Sequence, residues 1–413
     1  MSLGSAGTDP RRSGGAVGAV ADATRPRRVL CVFGSFERAG AQLRTLEVLR
    51  ELRRDRLVQF AFCSLDLGPD EVSPDVAEAG GSVHRVSIRS PRFLVAFPRL
   101  LRRGRYDVVH TEPQFLSGIV VWLAALCRVP VRIVAIHNSV GDAGQTARKR
   151  WVRLVLANRV FLWSMRTLTS RYATNVIAVS ASALDSVLPG RWQARRDCRV
   201  VYNGTDLGPF RRPEDRVGVR REFGWPDDAR IVVNVGRLST QKNHPVILEA
   251  IRRLREEDPR VRLLLVGGGK LRDRIEELVD RLGLRDACAI VENRPDVPRL
   301  LLASDVFFFP SAWEGLPGSP LEALAAGLPI VSSDIPPMLE ISPHFPGSIL
   351  VAPPDDVEAH VEHLRAALRM PRERERVQER FAGSPFALPQ AVVAYRGLYR
   401  VRGPAPARAE ARA

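Results

Sequence analysis

Two segments combine residue types suited to holding a phosphorylated, hydroxyl-rich molecule. The first, Gly236-Arg237-Leu238-Ser239-Thr240-Gln241-Lys242-Asn243, follows the apolar run Ile231 to Val235. Gly236 permits a tight turn. Arg237 offers a planar fork and Lys242 a compact point charge, and together they can embrace a diphosphate. Only three lysines, Lys149, Lys242 and Lys270, stand among 62 Lys and Arg residues, so a retained lysine marks a place where an ammonium is wanted. Alone, the segment reads equally as a βα loop with two solvated cations.

The second segment runs from Pro310 to Pro329, after Val306 to Phe309, a strand too apolar to be exposed. Gly318 or Ser319 is expected to cap a helix that starts at Pro320 and ends by Gly327. Free N–H groups at that helix start suit a phosphate. Glu314 and Glu322 flank this position and can accept hydrogen bonds from the hydroxyls of a sugar and a ribose. The plainer reading makes Glu322 a partner of the helix dipole and Glu314 a surface acid. Two histidines end strands, His137 in Ile136-His137-Asn138-Ser139 and His110 in Asp107-Val108-Val109-His110. A lone histidine is more often a satisfied structural group.

The elements that must position these residues alternate strand and helix. Residues 28–33 form an apolar run closed by Gly34, and leucines at helical spacing follow from Ala41 to Leu52. Val58 to Cys63, Tyr106 to His110, Val131 to His137 and Val176 to Ser180 continue the pattern. It breaks at Asn203-Gly204-Thr205-Asp206 and Pro209 to Asp215, then restarts with Ile231 to Val235, Val261 to Val266, Cys288 to Glu292, Val306 to Phe309 and Ile330 to Ser332. The expectation is an α/β protein of two doubly wound, Rossmann-like domains facing each other across a cleft at the carboxyl ends of their sheets. The first covers 28–207 and takes back a closing helix at 389–402. The second covers 208–388, with disordered tails at 1–27 and 403–413.

These residues resemble the retaining glycosyltransferases of family 4, which have the GT-B fold, and members acting in capsular or exopolysaccharide synthesis above all. The resemblance rests on the Gly-Arg loop with Lys242 a few residues later and on Glu-Gly-x-Pro followed by a second glutamate, here Glu314 to Glu322. It implies that Gly236, Arg237 and Lys242 hold the donor diphosphate and that Glu314 binds hydroxyls of the transferred sugar. Gly315 and Leu316 would offer backbone N–H groups beside Ser319, and Glu322 would bind the ribose. It places an active-site histidine at His137. The family's Gly-Gly loop is here Arg38-Ala39-Gly40-Ala41-Gln42, with alanine for the first glycine, so Gly40 is a weaker contact for phosphate or acceptor, as is His110.

The implied reaction moves a hexosyl unit from a nucleotide-diphosphate sugar, UDP-sugar first and GDP-mannose second, to a glycan or lipid-linked acceptor. The anomeric configuration is retained, no side chain is a covalent nucleophile, and no metal or cofactor is needed. A sugar-nucleotide epimerase of similar fold is the alternative. A dinucleotide oxidoreductase is disfavoured, because neither Gly34 to Gly40 nor Gly267-Gly268-Gly269 has the Gly-x-Gly-x-x-Gly spacing.

The charge of +16 demands an anionic partner. A basic nucleic-acid binder would leave Glu314 and Glu322 without purpose, so no nucleic acid is expected. Residues 145–171 hold seven basic residues and no acid. Trp151, Leu154, Val155, Leu162 and Met165 share one helical face there, which suits an anionic membrane surface or, equally, a buried domain face. The five cysteines lack paired spacing. With no apolar run of about 18 residues and no secretory leader, a cytoplasmic protein, peripheral on the inner face of the membrane, is expected.

Overall fold

In the computed structural model the described residues are 25–400, except 38–39, 138–158, 189, 191 and 293. Each half of the chain builds one parallel sheet. The first contains β1 (Arg27–Phe33), β2 (Val58–Ser64), β3 (Ser82–Arg85), β4 (Val108–Thr111), β5 (Val131–Ile136), β6 (Asn175–Ala178) and β7 (Cys198–Val200), in the order β3-β2-β1-β4-β5-β6-β7. The second contains β8 (Arg230–Val235), β9 (Val261–Val266), β10 (Cys288–Val291), β11 (Val306–Phe309), β12 (Ile330–Ser333) and β13 (Ile349–Ala352), in the order β10-β9-β8-β11-β12-β13. In both, the order reverses beside the first strand, which opens a crevice at the carboxyl ends of the strands.

The central strands are apolar throughout because helices cover both sheet faces. In β11, Phe307 and Phe309 enter one core cluster while Val306 and Phe308 enter the other, and all four are fully buried. Each such aromatic contributes about 2–3 kcal/mol by leaving water. Strands β3 and β7, which the residue pattern does not announce, lie at the two edges of the first sheet and are short and half-exposed, and β13, an apolar Ile-Leu-Val-Ala outside the expected strands, lies at one edge of the second. An edge strand needs no continuous apolar run.

The chain crosses between domains twice at one place. Thr205 bridges Ala387 in parallel, and a Cβ on Gly204 would stand 2.7 Å from Leu388 Cα, so only glycine admits the crossing. The helix Leu388–Leu398 then packs Leu388, Ala391, Val392, Tyr395 and Leu398 into the first domain's core.

The helix Arg159–Tyr172 falls partly in the stretch proposed for a membrane, whose residues 145–158 lie outside the described ones. Met165 on it is buried and Leu162 half-buried. The backbone of Met165 approaches so closely that a Cβ on Gly118 would meet Met165 O at 2.4 Å. The described part of that apolar face therefore packs on the helix Ser117–Leu126, and Trp163 is what faces outward, 68% exposed. Among the described residues no helix is long and apolar enough to cross a membrane.

Candidate active site

The loop after β8 and the loop after β11 meet at the carboxyl edge of the second sheet. Lys242 lies across Gly236, where a Cβ would stand 2.7 Å from the lysine Cε, and its ammonium sits 4.4 Å from the centre of the Phe309 ring. From there Nζ donates to Glu314 Oε1 at 2.6 Å, with only 11% of either side chain exposed. Gln241 joins the same two loops: Nε2 donates to Trp313 O at 2.7 Å, and its carbonyl accepts from Ala312 N at 2.9 Å. Arg237 is exposed and makes no ion pair among the described residues. Its guanidinium is thus free for an incoming anion.

Gly267, Gly268 and Gly269, which sequence reading used only to dismiss another function, form the backing of this loop. Gly267 has φ +145°, and a Cβ there would stand 2.1 Å from Gly236 O; at Gly269 it would stand 2.3 Å from Leu238 O. Leu238 N donates to Gly268 O at 2.9 Å. A run of glycines ending a strand was the available signal.

The helix expected to start at Pro320 starts instead at Gly318 and runs to Ala325, and no side chain caps it. Gly318 and Ser319 are therefore its first turn and not its cap. Pro320 falls where its missing N–H costs nothing, while the N–H groups of Gly318 and Ser319 stay available at the positive end of the helix. Gly315 and Leu316 are buried beneath, and Gly315 O accepts from Ser180 Oγ, on the first domain, at 2.9 Å.

Glu322 reaches across the cleft to Arg44, on the helix Gly40–Arg54 of the first domain. Arg44 Nη1 also pairs with Glu47 Oε2 at 2.8 Å. Burial pushes the Glu322 carboxyl above its ordinary range, against the pull of Arg44. A second clasp joins the domains where Glu340 Oε1 accepts from Tyr202 Oη at 2.6 Å and from Ala181 N at 3.1 Å.

On the first domain, the end of β4 and the end of β5 bring together Glu112 and His137, with His137 Nε2 3.1 Å from Glu112 Oε2. Thr45 Oγ1 donates to the other oxygen at 2.8 Å. Burial would raise the Glu112 carboxyl, yet His137 and Thr45 hold it below its ordinary range. Sequence reading did not find Glu112, a single acid in Thr111-Glu112-Pro113 with no spacing partner. His110 is fully buried, its Nδ1 3.0 Å from Tyr399 Oη, so it stands behind the cleft wall and not on it. Burial first, and His137 after it, lower its imidazole to about 4 although Glu112 pulls the other way. Gly40 opens its helix exposed, with nothing within 4 Å of where a Cβ would be.

The described arrangement gathers exposed Arg237, the Lys242–Glu314 pair and a helix start at the second sheet's carboxyl edge, with Glu322 paired to Arg44 and a carboxylate-held imidazole on the first domain. A family model described as glycosyl transferases group 1 matches residues 216–382, and one described as a glycosyl transferase 4-like domain matches residues 39–204. The putative glycosyltransferase EpsF of Bacillus subtilis (strain 168) is 27% identical over 387 residues, 91% of this chain and 97% of that one. The capsular polysaccharide biosynthesis glycosyltransferase CapH of Staphylococcus aureus is 24% identical over 327 residues, 78% of this chain and 85% of that one. Among solved structures, Anabaena HepE in complex with UDP superposes with a TM-score of 0.75 at 18% identity, covering 90% of this chain and 98% of the other. HepE has also been solved with UDP and glucose and with UDP-glucose. The two family matches divide between the two domains, and the chain belongs to the family 4 glycosyltransferases of GT-B fold.

Proposed function

We propose that this chain is a retaining hexosyltransferase that takes its sugar from a UDP-sugar, with GDP-mannose as second choice, and builds cell-surface polysaccharide or glycolipid. The observation that carries this reading is the clasp of the 236–242 loop on the 310–322 segment through Lys242 and Glu314, with His137 and Glu112 paired at the carboxyl ends of the first domain's strands. HepE, bound to UDP and to UDP-glucose, supports the uracil base, and CapH supports the polysaccharide product.

In this mechanism the C1–O bond to the diphosphate breaks and the acceptor oxygen bonds C1 on the same face. The acceptor's proton passes to a leaving phosphate oxygen, so no side-chain nucleophile takes part. Lys242, Arg237 and the start of the helix Gly318–Ala325 stabilise the charge developing on that diphosphate, which in a water-poor cleft is worth several kcal/mol. Glu314 accepts from hydroxyls of the transferred sugar and Glu322 from the ribose. Glu112 fixes the His137 ring so that its other edge meets the donor.

The acceptor is proposed to be a glycan or a lipid-linked sugar, reached at an anionic membrane on its cytoplasmic side. Between residues 86 and 175 stand fifteen Lys and Arg against Asp107, Glu112 and Asp142. Arg92, Arg99, Arg102, Arg103, Arg105, Arg166 and Arg171 are exposed and, among the described residues, unpaired. Leu94, Val95, Leu126 and Trp163 stand between them, 53%, 50%, 59% and 68% exposed. Exposed apolar side chains set among free arginines suit anionic lipid.

The test is incubation with UDP-glucose, UDP-galactose or GDP-mannose and a lipid-diphosphate-linked sugar, with product followed by NMR. Release of UDP, an anomeric coupling matching the donor's, and a rate unchanged by EDTA are expected. A free epimerised nucleotide sugar would select the epimerase instead, and no release from any donor would refute the reading.

A further inference from the structure

We infer that Arg44, on the first domain, is a positioning residue for the donor ribose: by gripping one oxygen of Glu322 it turns the other toward the ribose hydroxyls. The inference rests on the reading that Glu322 receives the ribose. Arg44 is held at two points, Nη2 on Glu322 Oε1 and Nη1 on Glu47 Oε2 at 2.8 Å, and its side chain is only 14% exposed. A fork fixed at both prongs cannot swing, so the carboxylate it grips cannot rotate freely either. An ionised carboxylate has about four acceptor sites, and Arg44 contacts Oε1 alone. The Glu322 side chain remains 24% exposed, and Oε2 has no hydrogen-bond partner among the described residues.

The position agrees with the role. A Cβ on Gly318 would stand 3.9 Å from Arg44 Nη2, so the guanidinium lies beside the helix start that meets the diphosphate. Burial disfavours charge on Glu322, and Arg44 is the first influence opposing it. Arg44 and Glu322 belong to different domains, so both domains contribute to the ribose site.

The experiment is calorimetric titration of the full chain with UDP and with 2′-deoxy-UDP, for the native protein and for Glu322→Ala, Arg44→Met and Arg44→Lys. The native protein is expected to prefer UDP by about tenfold, the equivalent of one charge-assisted hydrogen bond. Glu322→Ala should abolish that preference, Arg44→Met should bring it to within about twofold, and Arg44→Lys should restore part of it. Equal loss of affinity for both ligands in Arg44→Met, with the preference kept, would overturn the inference alone. No preference in the native protein, or one that survives in Glu322→Ala, would overturn the ribose reading and the inference with it. Arg44→Gln, equally uncharged but polar, serves if the methionine variant melts early.

Discussion

Lys242 links the composition of the chain to the packing of one side chain. A chain that writes nearly every cation as arginine keeps a lysine where the space between Gly236, the Phe309 ring and Glu314 admits an ammonium. Lys242→Ala should lower kcat/KM by about 10²–10³-fold, as loss of one preorganised charge in a dry site does. Lys242→Arg should recover little of it, because a planar guanidinium does not fit the same gap. Steady-state kinetics decide, and an arginine variant with native activity would be the contrary result. Glu112 teaches the opposite lesson. Nothing in Thr111-Glu112-Pro113 distinguishes it, since its partners Thr45 and His137 are distant in sequence and meet it only through the order of β1, β4 and β5. Its folded carboxyl lies below its ordinary value of 4.5, burial notwithstanding. Stability from this group is therefore present above pH 4.5 and lost as pH falls through the folded value. Denaturant titration should find Glu112→Gln less stable than the native protein at pH 7, with the gap closing on acidification below 4.5.

Elements account for the rest of the donor site. The loop that carries Arg237 rests on Gly267, whose φ of +145° and 2.1 Å approach to Gly236 O both exclude a side chain. Gly267→Ala should cost about 1–3 kcal/mol and displace the loop, so nucleotide affinity falls along with melting temperature. Gly283, at φ +65° with nothing within 4 Å, is the control: alanine there should cost about 1–2 kcal/mol and leave affinity intact. Similar affinity losses in both would contradict the assignment of Gly267 to the site. The buried strands and the helix after Pro317 were legible because interior parallel strands are apolar on both faces and proline and glycine punctuate helices. The start of that helix was misplaced by two residues because proline is tolerated anywhere in a first turn, not at its first position alone. Strands β3 and β7 were not legible, as half-exposed edges carry no strict period, whereas β13, Ile349-Leu350-Val351-Ala352 closed by Pro353, is apolar throughout and was legible but overlooked.

At the scale of the molecule, two domains meet through polar clasps, Arg44 on Glu322, Ser180 on Gly315 and Glu340 on Tyr202 and Ala181, and through apolar contact, with Val179 buried in the second domain's core and the Tyr202 ring 4.6 Å from that of Phe386. The charge asymmetry belongs to this scale too: most second-domain arginines are in ion pairs, whereas Arg99, Arg102 and Arg103 on the helix Phe93–Gly104 and Arg166 and Arg171 on the helix Arg159–Tyr172 make none among the described residues. Sedimentation with phosphatidylglycerol vesicles should capture the protein at low salt, and Leu94→Glu with Trp163→Glu should weaken capture by tenfold or more; neutral vesicles binding equally well would contradict an anionic membrane face. Burial lowers both His110 and His244 to about 4. The unfolded chain therefore takes up two protons that the folded chain refuses, and stability should fall as pH drops from 6.5 toward 4, by about 1.4 kcal/mol per pH unit for each histidine. The most direct test of the account is a thermal-shift titration with UDP, GDP, ADP and NAD, beside Lys242→Ala and Glu322→Ala. At 100 times its dissociation constant UDP should add about 2.7 kcal/mol of stability, and both substitutions should diminish it. Stabilisation by NAD alone, or by a nucleotide indifferent to both substitutions, would contradict a donor site at this cleft.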